Sequence, residues 1–144
     1  HIVGPLSGIR EQEEILPAIR DNHLEPYVIL HGPLHSDKLD EQFEKADFAI
    51  GSLGRHRSGI TYIKTLKNRE YAARGLSFTY SETDEDFDRM PYVWKVSPDE
   101  SPIDICGLIN FQRSQQMSPP EIRETVRALS WTAQMRKVIH ETEI

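Results

Sequence analysis

Short apolar runs alternate with amphipathic stretches along this chain, and this alternation limits the fold more than any other sequence feature. The runs are "HIVG", "YVIL", "FAIG", "LSFTYS" and "YVWKV". Short runs rich in β-branched and aromatic residues, bounded by glycine or proline, are typical of buried strands. Strands that alternate with helices form a parallel sheet that is covered on both faces. The sequence therefore predicts an α/β fold, a Rossmann-like doubly wound parallel sheet, with a helical C-terminal segment.

The segments between and after these runs carry helical end signals. A helix is predicted from about Thr65, and Gly75 closes it, because glycine adopts the left-handed conformation that commonly ends a helix. Ser101 in "SPID" and Ser118 in "SPPE" are predicted caps, each followed by proline and then by an acid three residues on. The stretch 130–144 has apolar residues at helical spacing and is predicted to be the last helix.

Length and composition indicate one ordinary domain over residues 1–144. Hydrophobic residues make up 38% of the chain and charged residues 28%, so a packed core is expected rather than disorder. The single cysteine, Cys106, excludes an internal disulfide and favours a reducing, cytoplasmic location. It lies near Ile105 and Leu108 and is predicted to be a core residue. Because the chain begins inside a predicted strand, we expect a longer protein with a preceding half.

Charge is distributed unevenly along the chain. The net charge is −6, which argues against nucleic-acid binding through phosphate neutralisation. The segment from Gly51 to Arg74 nevertheless contains six basic residues and one acid, Glu70. One basic segment on an otherwise acidic domain indicates a pocket for a small anion. In doubly wound sheets such pockets lie beyond the carboxyl ends of the strands, where this segment begins.

Several common sites are disfavoured by their motifs. "GPLSG" lacks the three-glycine fingerprint of dinucleotide binding, and "GSLGRHRSG" lacks the lysine and hydroxyl residue of a P-loop. His31, His35 and Asp37 are close in sequence, as a metal site requires, but Gly32 and Pro33 break any shared helical face. We therefore expect no bound metal and no covalent cofactor.

The start of the helix at Thr65 is the strongest candidate site. Backbone amides at a helix start attract anions, and here they belong to Thr65, Leu66 and Lys67. Lys67 and the loop residues Arg55 and Arg57 add positive charge. One turn later, Glu70 can accept hydrogen bonds from the two hydroxyls of a ribose. These residues together predict a nucleotide-diphosphate site.

A plainer alternative explains the same charges as a solvated helix face. Lys67–Glu70 and Glu70–Arg74 have the spacing of surface ion pairs, each worth a few tenths of a kcal/mol. Spacing alone does not choose between this alternative and the nucleotide site.

The segment "LKNREYAARGLSF" resembles the signature of retaining glycosyltransferases of family four, which have two Rossmann-like domains (the GT-B type). The matching positions are Lys67, Glu70, Tyr71, Ala73 and Gly75. The flanking "VILHGPL", "KLDEQFEKADFAIGSL" and "SWTAQMRKVI" are similar to the family's neighbouring elements, so nearly the whole chain is covered. The resemblance is to the C-terminal, donor-binding domain; the N-terminal acceptor domain would precede it.

The resemblance implies a nucleotide-diphospho-sugar donor. Glu70 would hold the ribose, Lys67 with the amides of Thr65 and Leu66 the diphosphate, and the loop around Leu34 the base. The sugar would pass to a glycan or lipid-linked acceptor, as in polysaccharide biosynthesis, and the full enzyme could associate peripherally with a membrane. The resemblance implies no nucleic-acid partner, and it assigns no catalytic residue to this part of the chain.

Three positions depart from the family pattern. Tyr62 stands where a second glutamate is common, and Thr65 and Ser77 stand where proline is usual. Without the upstream glutamate, the resemblance does not identify the residue that contacts the sugar, or which sugar is bound. Two alternatives therefore stay open: a sugar-nucleotide epimerase of the same fold, and a non-catalytic scaffold domain that has lost its site.

Overall fold

The computed structural model describes residues 1–141, and the last three residues of the predicted C-terminal helix lie outside them. The protein is mixed α/β with parallel strand pairing, as predicted. The chain divides into two compact units, His1–Lys45 and Ala46–Ile144. The single domain over residues 1–144 stays a prediction.

The first unit contains a two-stranded parallel sheet and two helical segments. Strand β1 (Ile2–Val3) pairs with β2 (Leu30–Gly32). A π-helical stretch, Glu11–Ile15, runs directly into α1 (Leu16–Asp21), and α2 (Ser36–Glu44) follows β2. The join falls beside Pro17, which has no backbone N–H to donate to the preceding turn, and the helical segment changes from π to α at this point without ending.

The second predicted strand is shorter and later than its sequence indicates. "YVIL" was predicted to be a strand, but only Leu30 of that run belongs to β2. The amides of Tyr27 and Val28 both donate to the carbonyl of Leu24, at 2.9 and 3.0 Å. This turn after α1 satisfies the two amides locally, so they are not available for strand pairing.

The second unit contains a three-stranded parallel sheet in the order β3-β4-β5. The strands are β3 (Ala49–Ile50), β4 (Phe78–Tyr80) and β5 (Val93–Lys95). Helix α3 (Leu66–Arg74) connects β3 to β4, and an irregular segment, 81–92, connects β4 to β5. The doubly wound arrangement of a complete Rossmann-like sheet stays a prediction.

The rest of the described chain is helical, as predicted. It comprises α4 (Ile105–Ser114), α5 (Pro119–Thr125) and α6 (Trp131–Glu141), with 3₁₀ turns at Arg55–Ser58 and Arg127–Leu129. Within residues 1–141, every helix is too short or too polar to cross a bilayer.

An aromatic core underlies the three-stranded sheet. Phe78, on the central strand, is fully buried, and its ring lies 5.4 Å from that of Phe87 and 6.0 Å from that of Tyr92. Ala72 on α3 and Ile122 on α5 complete the contact between sheet and helices. Burial of this apolar surface fixes α3 over β4, and so fixes where the N-terminus of α3 lies.

The predicted helix ends were right at two positions and wrong at a third. Gly75 ends α3 with φ +81°, and Ser118 forms a reciprocal capping box with Glu121. Ser101 is not a cap, since α4 begins four residues later. Asp104 takes this role and accepts a hydrogen bond from the amide of Gly107 at 2.8 Å.

Cys106 is exposed, so its predicted place in the core was wrong. The inner side of α4 is instead formed by Gly107 and Phe111, which pack against Trp94; the Phe111 and Trp94 rings lie 5.3 Å apart. Gly107 and Phe111 share a face by their spacing of four residues, and Cys106, one position before Gly107, lies off this face.

Candidate functional site

Two loops lie side by side at the carboxyl edge of the three-stranded sheet. The first, 51–65, follows β3, and the second, 81–92, follows β4. The amide of Gly51, just after β3, donates to Thr79 at 2.7 Å, and the amide of Ser81 donates to Ser52 at 3.0 Å. A Cβ at position 51 would lie 2.9 Å from Asn68 Oδ1, so only glycine lets the loop pass this close to α3. Ligands bind beyond this edge in parallel α/β sheets.

The first loop continues along the second until α3 begins. It forms a 3₁₀ turn at Arg55–Ser58, which Gly59 ends with φ +69°. Further on, Tyr62 bridges to Thr83, and the amide of Ile63 donates to the Thr83 carbonyl at 3.0 Å. The basic loop and the segment after β4 are therefore parts of one surface.

The N-terminus of α3 has unsatisfied amides. Thr65 caps the helix, and its hydroxyl accepts from the amide of Asn68 at 3.2 Å. Within residues 1–141, the amides of Leu66 and Lys67 have no hydrogen-bond acceptor. These two donors and the positive end of the helix dipole are suited to an anion.

Ion pairs divide the six cations of the basic segment into two groups. Four lie within ion-pair distance of a carboxylate: Arg57 with Glu100, Lys64 with Asp86, Arg69 with Asp84 and Arg74 with Glu70. Arg55 and Lys67 have no such partner among residues 1–140. Arg55 and Lys67 are two of the three cations that were predicted at the anion site. The third, Arg57, is paired with Glu100, and most of the remaining positive charge is neutralised within the fold.

Glu70 is paired but retains one free oxygen. Its side chain is 45% exposed, and Arg74 donates to Oε1 from Nε at 3.3 Å and from Nη2 at 3.2 Å. Within the described residues, Oε2 has no partner. Of the two ion pairs that the plainer alternative predicted, Glu70–Arg74 is present, and Lys67–Glu70 is not found among the described residues. The other oxygen of Glu70 can still accept a ligand hydroxyl.

The remaining predicted residues have different surroundings. Leu66 is 81% exposed, although it is apolar, at the first position of α3. Leu34 belongs to the first unit, in the loop between β2 and α2. Tyr62, where the family commonly has glutamate, donates its hydroxyl to Glu85 at 2.9 Å. This hydrogen bond raises the pKa of Tyr62, because deprotonation would break it.

Sequence reasoning missed a buried polar cluster after β4. Asp84 is fully buried and accepts from Asn68 and from Arg69, both at 3.2 Å. Glu82 is 1% exposed, and its Oε1 accepts from the backbone amide of Arg55 at 3.1 Å. The signal was present in "ETDEDFD", a run of acids directly after a predicted strand, where parallel sheets position ligand-binding groups.

The 3₁₀ turn at Arg55–Ser58 is tied to Glu100. Arg57 donates from Nε at 2.7 Å, and His56 Nε2 lies 2.8 Å away. The hydrogen bonds from Arg57 and His56 lower the pKa of Glu100 from 4.5 to about 2. Because the folded pKa is the lower one, the stabilisation is complete above pH 4.5 and is lost as the pH falls towards 2.

Replacing Arg57 by alanine is expected to raise the pKa of Glu100 back towards 4.5, because its first hydrogen-bond donor is removed. Carboxyl ¹³C chemical shifts of labelled protein, followed from pH 6 to pH 2, measure this change. Arg127→Ala removes an exposed arginine paired with Glu124 and serves as the control. An unchanged midpoint for Glu100 in Arg57→Ala would contradict the assignment.

Two histidines lie together at the first sheet. His31 Nε2 lies 3.0 Å from His1 Nδ1. Among the described residues, no three His, Cys, Asp or Glu side chains are arranged to hold a metal ion.

Comparisons with known protein families, with characterised proteins and with solved structures find no match to this chain. The interpretation of the site therefore depends on its own geometry and chemistry.

Proposed function

We propose that the second unit carries the diphosphate-binding surface of a glycosyltransferase of the GT-B type, which takes its sugar from a nucleotide-diphospho-sugar. One observation carries the proposal. Of the six cations in the basic segment, the two without a carboxylate partner in the described chain are Arg55 and Lys67, and Lys67 lies in the first turn of α3. Two unsatisfied amides lie at the same helix start.

This surface suits the chemistry of glycosyl transfer. The bond between the sugar C1 and the diphosphate oxygen breaks, and the diphosphate leaves with the bonding electrons. The acceptor oxygen bonds to C1, and its proton passes to the leaving diphosphate oxygen. Negative charge therefore grows on the diphosphate, and the amides of Leu66 and Lys67, with the cations, stabilise it without a metal. The acceptor would be a glycan or a lipid-linked saccharide held by a preceding domain.

Glu70 supplies the contact to the ribose in this proposal. Arg74 fixes the carboxylate through Oε1, so that less side-chain entropy is lost when Oε2 accepts a ribose hydroxyl. Leu66, exposed at the helix start, would add apolar contact with the nucleoside. The base contact that was predicted at Leu34 lies in the first unit and stays a prediction.

Lys67→Ala is expected to weaken the binding of nucleoside diphosphates about fivefold, because one charge-assisted contact is lost at an exposed site. Calorimetry or NMR titration of the 144-residue chain with UDP, GDP and ADP measures this, at low and at high salt. Screening should reduce the difference at high salt. Lys137→Ala, an exposed lysine on α6, is the matched control and should bind as the wild type does.

Glu70→Ala separates the ribose contact from the phosphate contact. We expect affinity for nucleoside diphosphates to fall about tenfold, whereas affinity for inorganic pyrophosphate should not fall, since pyrophosphate has no ribose. Glu124→Ala, which removes a similarly exposed helical ion pair, is the control. Equal affinities of wild type and Glu70→Ala for all three nucleotides would remove Glu70 from the site.

A non-catalytic scaffold is the second candidate, and one observation favours it. Tyr62 fills the position of the family's upstream glutamate, and its hydroxyl is already bonded to Glu85. A scaffold that has lost its site predicts no chemical-shift response at Arg55, Leu66 or Lys67 to any nucleoside diphosphate, and the titrations above would show this directly.

A further inference from the structure

Unsatisfied hydrogen-bond acceptors cluster around the Gly51–His56 stretch of the basic loop. Four buried side-chain atoms in the described residues have no partner, and three of them lie in or against this stretch: His56 Nδ1, Asn68 Oδ1 and Glu82 Oε2. Asn68 and Glu82 are both 1% exposed. A buried acceptor without a donor costs about 1–3 kcal/mol, so three of them in one place require a physical cause.

The three atoms have the same hydrogen-bonding character. A carboxylate oxygen and an amide oxygen only accept. His56 Nε2 lies 2.8 Å from a carboxylate oxygen of Glu100, so in the neutral ring Nε2 carries the proton and Nδ1 accepts. The complement to such a set is a ligand rich in O–H donors. A phosphate, which offers acceptors, does not suit these atoms.

Asn68 and Glu82 both contact the backbone of the Gly51–His56 stretch. Asn68 Oδ1 lies 2.9 Å from the position that a Cβ on Gly51 would take. The other oxygen of Glu82, Oε1, accepts from the amide of Arg55 at 3.1 Å. The loop covers these acceptors, so a ligand would have to displace the Gly51–His56 stretch to reach them.

We propose that Glu82 accepts a hydrogen bond from a sugar hydroxyl of the ligand, and that Asn68 lies beside it as a second acceptor. This inference rests on the proposed function and deepens it. In the resembled family a glutamate is common at the position of Tyr62. We assign the sugar contact to Glu82, which follows β4, because Tyr62 has no carboxylate to make it. The hydroxyl belongs either to the ribose or to the glycosyl group of the donor, and the ligands below distinguish the two.

The test compares wild type with Glu82→Gln, which keeps the size of the side chain and turns one acceptor into a donor. Affinities are measured for pyrophosphate, for UDP, GDP and ADP, and for their glucose conjugates. We expect Glu82→Gln to bind the hydroxyl-bearing ligand about tenfold more weakly and to bind pyrophosphate as the wild type does. Glu85→Gln, whose exposed carboxylate bonds Tyr62, is the matched control and should change nothing.

Each pattern of results has one meaning. Weaker binding of the glucose conjugates alone assigns the contact to the transferred sugar, and an equal loss for the nucleoside diphosphates assigns it to the ribose. An equal loss for pyrophosphate overturns the inference, because Glu82 would then only hold the Arg55 loop. Unchanged affinities for all ligands overturn it too. If the wild type binds no ligand at all, the proposed function fails, and this inference with it.

A measurement on the ligand side covers the case in which Glu82→Gln does not fold. The wild type is titrated with 2′-deoxy and 3′-deoxy nucleoside diphosphates, and with glucose conjugates that lack single sugar hydroxyls. The ribose deletions are repeated in Glu70→Ala, because Glu70 is the other proposed acceptor for a ribose hydroxyl. A loss of about tenfold from one glucose deletion, or from a ribose deletion in Glu70→Ala as well, supports a buried acceptor for that hydroxyl. Full affinity after every deletion overturns the inference.

Discussion

Asp84→Ala is expected to lower the free energy of unfolding by about 3 kcal/mol, because a fully buried carboxylate joins two elements of the second unit. Its Oδ2 accepts from Arg69 and from Asn68, each at 3.2 Å. Removing it leaves the buried amide of Asn68 without an acceptor and takes one carboxylate from Arg69. Urea unfolding followed by tryptophan fluorescence measures the loss, since Trp94 and Trp131 both lie in the second unit.

Asp86→Ala is the matched control for this prediction. Asp86 also bonds Arg69, but its side chain is 24% exposed, so water replaces much of the lost interaction. We expect a loss of about 1 kcal/mol or less. Losses of equal size for the two variants would mean that burial of Asp84 does not set the strength of this cluster.

Phe78→Ala is expected to cost about 3–5 kcal/mol, because it removes the ring at the centre of the aromatic core. Phe78 is fully buried, and its ring lies within about 6 Å of those of Phe87, Tyr92 and Tyr80. The cavity left behind would loosen the contact of β4 with α3. The same urea unfolding experiment measures this loss.

Two controls define the cause of the Phe78 effect. Phe78→Leu retains most of the buried volume and should cost less than about half as much. Tyr27→Ala removes an aromatic ring that is 79% exposed and should change stability by about 0.5 kcal/mol or less. A small loss for Phe78→Ala would show that the core is not organised around this ring.

Strand positions were predictable in the second unit and less so in the first. "LSFTYS" and "YVWKV" contain β4 and β5, because aromatic and β-branched residues bounded by polar segments have few other stable arrangements in this chain. "YVIL" has the same composition, yet Tyr27 and Val28 form a turn with Leu24. Local hydrogen bonding after α1 outweighs strand propensity there. The four residues of the run do not include Leu24, so the run by itself does not predict this turn.

Two helix ends were predictable from the sequence and a third was not. Gly75 and Ser118 were predicted because their signals are local: a left-handed residue, and a serine with glutamate three positions on. "SPID" carries a similar signal at Ser101, but the amide of Ser101 is bonded to Asp99 at 2.7 Å, and Asp104 caps α4 instead. Cys106 was placed in the core because of its apolar neighbours, but Ile105 and Ile109 are themselves 57% and 42% exposed, so apolar composition did not show which face of α4 is buried.

The candidate site was partly visible in the sequence. The basic segment, the helix start at Thr65 and the position of Glu70 follow from residue type and spacing alone. The sequence does not record which cations are already paired. Arg57 reaches Glu100, 43 positions away along the chain, and Arg69 reaches Asp84, 15 positions away. Local pattern analysis does not extend over such separations.

The sequence by itself determined the alternation of strands and helices, the parallel class of the sheet and the concentration of positive charge before α3, since these depend on periodicity and composition over short windows. Tertiary structure alone decided that Arg55 and Lys67 lack carboxylate partners in the described chain, and that Glu82 and Asn68 are buried with unsatisfied oxygens. The physical reason is that ion pairing and burial depend on which distant segments meet in space, and those contacts are set when the aromatic core around Phe78 packs.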